Sequence, residues 1–468
     1  MTAFDEIMAL RDNAFPTRDE VDINGTDPVL ETYFRIAETA AAVLAGVGVA
    51  VTDLWEMKTG CRQKIAVDVR SAAATLRSNK YLQIRNPNGV FEHIFDPEHE
   101  ANRELTDCYL AKDGRWVLPH FGLGHLRQRM LDLLGAEPNA NSIARAVAKW
   151  DAIDLEAAID EQRVCGGMIR SNEEWLAEEH GQVLAAKPVV EVIKIGDSEP
   201  DPMPVGERPL SGIRVLDLTR ILAGPITGRT LAEHGAEVLM VAGEHVPQVL
   251  PYVADTSHGK RSCFLDLRQS AEVEKLRGLV RSADIFSQGY RPNMIGRLGF
   301  GPEELAALRP GLVYVSISCY GADGPFSHRA GWEQVAQIMS GIAAEGVQTG
   351  PAYRPRLLPA AANDYITGYL GAYGALLALA RRAHEGGSYH VRVSLCQTAM
   401  MIYRQGKITT LPQAPDLSAD EIDALRIESN CHLGRIRHLG PVLRLSETMP
   451  GWNLPTPKLG GDAAMWRA

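Results

Sequence analysis

Asp364 stands near the start of a long run of small residues, "NDYITGYLGAYGALLALA" (363–380), in which Gly368, Gly371, Ala372, Gly374, Ala375 and Ala378 recur. A helix with so small a face lets another backbone press against it, and a carboxylate at its start has little room to move. Two roles suit such an aspartate. It can cap the helix, since aspartate is a favoured N-cap. It can also act as a nucleophile. A carboxylate is a weak nucleophile in water but becomes reactive when it is desolvated and held in line. A helix N-terminus lowers its pKa and stabilises oxyanions nearby. Spacing alone favours the cap, and the two roles are compatible.

Positioning this group falls to a pattern of alternating strands and helices. "IRVLDLTR" (213–220) reads as a buried strand, "GPITGRTLAEHGA" as a turn and helix, and "EVLMVA" as a second strand. "ADIFSQGY" and "GLVYVSISCYG" repeat the strand type, each after a helical segment. Such runs predict an α/β fold with a Rossmann-like parallel sheet covered by helices on both faces. The glycines of the first turn, Gly224, Gly228 and Gly235, lack the Gly-x-Gly pair that brings backbone to a pyrophosphate, so the turn does not argue for a dinucleotide.

A Pro-rich break, "IGDSEPDPMPVGERPL" (195–210), marks a linker. Before it, 86–194 predicts a smaller, helix-rich α+β domain, with Ser171 and Glu174 as a capping box. The sheet domain then spans 211–408, and 409–468 reads as a linker remnant and tail. Residues 1–85 are expected to pack into the large domain, because 30–75 would otherwise expose a large apolar surface. Segment 42–76 also weakly parallels 374–400: a small-residue helix, a polar turn, a "VDV" or "VRV" strand, and another helix. The first copy has nothing matching Asp364 at the corresponding place; Glu38 or Ala40 falls in that region, depending on where gaps are set.

The chain has 468 residues, enough for two or three domains. It carries 58 acidic against 48 basic side chains, a net charge of -10, without a basic block. That argues against nucleic acid, which needs clustered cations. Seven well-separated cysteines argue against a zinc site or a disulfide framework and fit a reducing compartment. The N-terminus has no signal-peptide core, and the apolar run 40–51 reads as too short to span a bilayer. The expectation is a cytoplasmic protein with no membrane partner.

Several ordered stretches carry a resemblance: "GIRVLDLTRILAGPITGRTLAEHGAEVLMV", "GKRSCFLDLR", "ADIFSQGYRPNMIGRLGFGPEELAALRPGLVYVSISCYGADGP" and "NDYITGYLGAYGALLAL". Over 212–408 the chain resembles the class III CoA-transferases. "DCYLAKDGRWVLPHFG", "SNEEWLAEEHGQVLAAKPVVEV" and "GPVLRLSETMPGWNLPTPKLG" resemble the family's small domain and tail, in rearranged order. The resemblance implies Asp364 as catalytic residue, with CoA exchanged between an acyl-CoA and a carboxylic acid through an aspartyl intermediate. CoA is then a substrate, with neither a permanently bound cofactor nor a metal. It implies a CoA-binding set of Ile221, Leu222, Ala223, Lys260, Arg261, Arg291 and Arg297, and substrate-proximal Tyr320, Gly321, Trp332 and Glu333. Some relatives have a glutamine where Leu222 stands. The glycine run that closes over the formyl-CoA transferase site is missing, so something else must exclude water. The family also implies a homodimer.

Two alternatives stand beside the transferase. A 2-methylacyl-CoA racemase needs two bases on opposite faces of the carbon. Its branch carries a histidine–aspartate pair where this sequence has Trp332–Glu333, and His328 lies four residues upstream. A non-catalytic CoA-binding scaffold is the other alternative, and retention of Asp364 within its motif speaks against it.

Overall fold

A computed structural model describes the chain except residues 13, 18, 292–293, 350–351, 410–415 and 468. The N-terminal part holds strand β1 (Val21–Asn24), helix α1 (Ile36–Thr59), strand β2 (Ile65–Asp68) and helix α2 (Val69–Thr75). Two short strands follow, β3 (Gln83–Arg85) and β4 (Phe91–His93). A small unit then forms around β5 (Tyr109–Leu110), β6 (Trp116–His120) and β7 (Cys165–Met168), an antiparallel sheet packed against helices Gly124–Leu134, Ala140–Val147 and Ala152–Glu161.

The large sheet contains β8 (Glu191–Gly196), β9 (Arg214–Leu218), β10 (Glu237–Ala242), β11 (Lys260–Phe264), β12 (Ile285–Gln288), β13 (Val313–Ser318) and β14 (Ser388–Ser394). Its order is β11-β10-β9-β12-β13-β14-β8. All neighbouring pairs are parallel except β14–β8, which is antiparallel. The strands are nearly all buried, as their continuous apolar runs require when helices cover both faces. Helices α3 (Ala223–Glu233), α4 (Glu333–Met339), α5 (Ala362–Glu385) and α6 (Leu395–Arg404) carry or support the site. The α/β class expected from the sequence is the one observed.

Sheet pairing corrects two boundaries. Glu191–Gly196 hydrogen-bonds to β14, so the strand at the edge of the expected small domain and linker belongs to the large sheet. The stretch read as linker remnant and tail contains β15 (Arg426–Cys431), β16 (Gly434–Leu439) and β17 (Arg444–Leu445). β16 pairs with β3 to build a four-stranded sheet, and β17 pairs with β2. Open strand edges need partners, and those partners lie more than 300 residues away in the chain, where local composition carries no trace of them.

The small-residue face of α5 is explained by α3. A Cβ added at Gly368 would lie 2.6 Å from the carbonyl oxygen of Ala223 and 2.6 Å from Cβ of Ile226; one at Gly371 would lie 2.5 Å from Thr227 Oγ1. Thr227 Oγ1 donates to the Gly368 carbonyl at 2.9 Å, tying the two backbones together. Helix α1 packs along α5 as well, and Tyr373 on α5 donates from its hydroxyl to the Ile7 carbonyl at 2.8 Å. Helix α1 is longer than the apolar run suggested. By length and composition it could cross a membrane, yet 94% of its most apolar window is buried inside the fold.

Gly368→Ala is therefore expected to lower stability by about 1–3 kcal/mol, the usual cost of overpacking a tight contact. Denaturant unfolding of the two proteins measures it. A change below about 0.5 kcal/mol, the scale of an indifferent surface substitution, would show that α3 yields freely.

Candidate active site

Asp364 is the third residue of α5, buried, with its side chain on the wall of a cavity of about 300 Å³. It is not the cap. Ala361 holds that position and makes no side-chain cap bond. The first amides of α5 are taken instead by Glu333, the first residue of α4. Asn363 N–H donates to Oε1 at 3.2 Å and Asp364 N–H to Oε2 at 2.6 Å. Asn363 Nδ2 and Gln337 Nε2 also donate to Oε1, at 3.1 and 2.7 Å. An acid at the start of one helix thus caps the start of another. Burial, and next the charge of Glu333, push the Asp364 carboxyl well above the usual carboxylate range. Burial raises Glu333 too, against the donors that hold its charge.

The opposite wall is the β9–α3 turn. Ile221, Leu222 and Ala223 all line the cavity, and Ile221 adopts φ 73°, a left-handed conformation that is costly for a β-branched residue. A buried clamp holds the turn. Asp217 accepts from Thr219 N–H at 3.0 Å and from the Thr219 hydroxyl, while Lys260 Nζ reaches Asp217 Oδ2 and the Pro225 carbonyl, each at 2.7 Å. This corrects the CoA-binding expectation for Lys260: its ammonium is fully buried and already paired, out of reach of a phosphate. Arg261 is likewise committed, to Glu237 and Asp462 at 3.2 Å each. Arg297 is exposed on the turn Gly296–Leu298 and does not line the cavity. Arg291 does line it.

The sequence reading missed Arg220. Its side chain lines the cavity, and its Nε is buried with no hydrogen-bond partner. One Nη donates to the Pro247 carbonyl, and among the described residues no carboxylate pairs with it. Arg291 similarly bonds a carbonyl, that of Arg163, at 2.9 Å. No local signal separates these arginines from the paired ones, because a missing partner is a tertiary fact. Tyr320 and Gly321 are the other corrections. Tyr320 is buried in an aromatic cluster, edge-on to His180 and Phe326, with its carbonyl bonded by His180 Nε2 at 2.7 Å. Neither residue lines the cavity; they shape the turn behind it.

Trp332 does line the cavity, stacked on His120 of β6 with ring centroids 4.9 Å apart. Gly122 N–H donates to His120 Nδ1 at 3.1 Å, so Nε2 carries the proton and donates to Gln334 Oε1, also at 3.1 Å. Burial keeps this imidazole neutral, its pKa lowered to about 4. Leu123, Leu126 and Cys165 of the small unit complete the apolar side of the cavity. His328 points elsewhere: it is exposed and pairs with Asp160 at 3.0 Å.

The match to known proteins agrees with this geometry. The model of CoA-transferase family III covers residues 210–428. An acetyl-coenzyme A transferase of Hypoxylon pulicicidum is 32% identical over 79% of this chain and 69% of its own. An acyl-CoA transferase of Gibberella moniliformis is 31% identical over 96% of this chain and 92% of its own. The chain belongs to CoA-transferase family III. Among solved structures, a CAIB/BAIF family protein of Brucella suis is 31% identical, covering 42% of this chain and 55% of that one, with a TM-score of 0.38. The Hypoxylon and Gibberella relatives confirm the family resemblance drawn from the motifs, and with it the assignment as a CoA-transferase.

Because Glu333 raises Asp364 by charge and holds its helix by hydrogen bonds, the two effects are separable. Both carboxyls titrate above the ordinary range, so kcat/KM of this transferase should fall as pH drops through a limb lying above that range. Glu333→Gln removes the charge and keeps one of the two acceptor oxygens that the α5 amides use, and should move the limb to lower pH. A pH–rate profile with an unmoved limb would count against the coupling.

Proposed function

We propose that this CoA-transferase moves CoA from an acyl-CoA to a carboxylic acid through a covalent intermediate on Asp364. A buried carboxylate on the wall of a partly apolar cavity carries the reading. In the first step an Asp364 oxygen attacks the thioester carbonyl. The C–S bond breaks, giving a mixed anhydride and CoA thiolate. The thiolate then attacks Asp364 Cγ, releasing the donor acid and leaving an aspartyl-CoA thioester. The acceptor carboxylate attacks the same carbon and expels the thiolate. That thiolate takes the acyl group of the new anhydride and frees Asp364. Each step exchanges one acyl bond for another, so the thioester energy is kept.

The protein's share is positioning and electrostatics. The α3 N-terminus faces the cavity, with Ala223 and Gly224 in its first turn, and favours the oxyanion of each tetrahedral intermediate. Trp332, Leu123 and Leu126 supply the water exclusion that a missing glycine run leaves open. Arg220 and Arg291 offer cations to the phosphates of CoA, replacing Lys260 and Arg261 in that role. The printed name of the Hypoxylon relative, an acetyl-coenzyme A transferase, points to the same class of donor.

Asp364→Ala should cut CoA exchange between labelled acids by at least about 10³-fold, the scale of losing a covalent nucleophile, while CoA still binds. Wild type incubated with acyl-CoA and quenched with hydroxylamine should carry a hydroxamate at Asp364 by peptide mass spectrometry. Retained turnover in the variant sinks the nucleophile. Arg220→Gln should raise KM for acyl-CoA about 10-fold, the worth of one charge-assisted hydrogen bond. Acyl-pantetheine, which lacks the nucleotide phosphates, should be used equally well by both forms; a loss there as well would remove Arg220 from phosphate binding.

A further inference from the structure

The three-stranded sheet β1-β2-β17 repeats part of the large one. β2 is parallel to β1 and antiparallel to β17; β14 is parallel to β13 and antiparallel to β8. Helix α1 leads into β2 as α5 leads into β14, and both helices have 24 residues. Both are entered through the same uncommon backbone conformation, φ -81° and ψ 59° at Arg35, φ -84° and ψ 55° at Ala361. Both end on a glycine, Gly60 and Gly386. The last residue of each strand caps the helix that follows directly: Asp68 accepts from Ser71 N–H, and Ser394 from Gln397 N–H.

The register agrees without a gap. Ile36 to Asp68 and Ala362 to Ser394 have the same length. Ala66 lies opposite Arg444 where Arg392 lies opposite Glu191, and Ile65 opposite Leu445 where Val391 lies opposite Val192. Pro441–Val442 and Pro188–Val189 precede the two antiparallel strands at the same distance. On this register Glu38 coincides with Asp364. The capping acid is repeated too: Asp27, buried, accepts from Ala37 N–H at 3.0 Å and Glu38 N–H at 2.9 Å, the amides that correspond to those Glu333 takes.

We infer that the chain contains two copies of its nucleophile-bearing unit, and that Glu38 occupies the nucleophile's position in the second copy, where it is silent. Two features remove the chemistry. Glu38 pairs with Arg35 at 2.9 Å, and both side chains are partly exposed, so its carboxylate is solvated and neutralised. Among the described residues the small sheet also ends at β1, with no counterpart to β12 and β9 and so no turn like 219–224 over it. In both copies an acid captures the two helix amides, though from different points of the chain, Asp27 eleven residues before Glu38 and Glu333 thirty-one before Asp364, which marks the capture as a device of the fold independent of the reaction. Each chain then has one reactive carboxylate.

Three measurements decide this, and only the labelling rests on the covalent reading above. Glu38→Gln should leave kcat and KM within about two-fold; a loss beyond ten-fold overturns the inference. Asp27→Ala should lower Tm while turnover per folded molecule holds, and an unchanged Tm breaks the equivalence with Glu333. Hydroxylamine quenching should label one site per chain, on the peptide containing Asp364, and a label on Glu38 overturns the silence. If neither peptide is labelled, the covalent mechanism falls, and the turnover of Glu38→Gln still decides whether that position is silent.

Discussion

The capture of the first α5 amides by Glu333 is the contact on which the site depends. It puts an acceptor where four helical N–H groups would lack partners. It joins α4 to α5 at the point where Asp364 projects, with the shorter bond made by Asp364's own amide. The same carboxylate brings a second negative charge beside Asp364 in a dry setting, which raises the cost of ionising both. Four donors to Glu333 oppose that cost. Asp364 is thus held rigidly and is hard to ionise.

Rigidity on one side would achieve nothing with a loose wall opposite. Contact between α3 and α5 is close enough that Gly368 cannot carry a methyl group without displacing the Ala223 carbonyl. Behind α3, the Asp217–Lys260 pair holds the turn in which Ile221 sits left-handed. Buried ion pairs contribute little net stability because desolvation offsets attraction, but breaking one strands a charge. Here the pair acts on geometry: Lys260 also bonds Pro225 in the first turn of α3, so wall and sheet move as one.

The small unit supplies what the large sheet lacks. Its strand β6 sends His120 under Trp332, and its helices bring Leu123 and Leu126 to the cavity. Arg170, buried, bonds Glu156, and Arg329 bonds Glu156 and Asp160, fastening the 323–332 loop to that unit. With Arg329 so paired, Arg220 and Arg291 are, among the described residues, the arginines of the cavity with no acid paired to them. A chain of net charge -10 therefore presents a locally cationic opening, the electrostatic condition for attracting a polyanionic substrate.

Much of this was legible in the sequence. Continuous apolar strands alternating with helices specified the parallel sheet, because period and burial are local properties. The small-residue face of α5 announced close helix packing, and the motif around Asp364 drew attention to a carboxylate that the fold buries on the cavity wall. Sequence order even exposed the internal likeness of 42–76 to 374–400. What it could not supply was partnership. Lys260 and Arg220 are both basic residues beside strand ends; only the fold buries one against Asp217 and leaves the other without an acid. Tyr320 and Trp332 are both aromatic residues on one loop, and only packing turned the first away from the cavity and the second into it. The surroundings of the repeated unit's two carboxylates were decided the same way. Glu38 and Asp364 hold equivalent places on equivalent helices, and they differ in solvent, in a neighbouring arginine and in the wall opposite. Local pattern determines which element a residue joins, whereas reactivity depends on charges and burial contributed by residues distant in the chain.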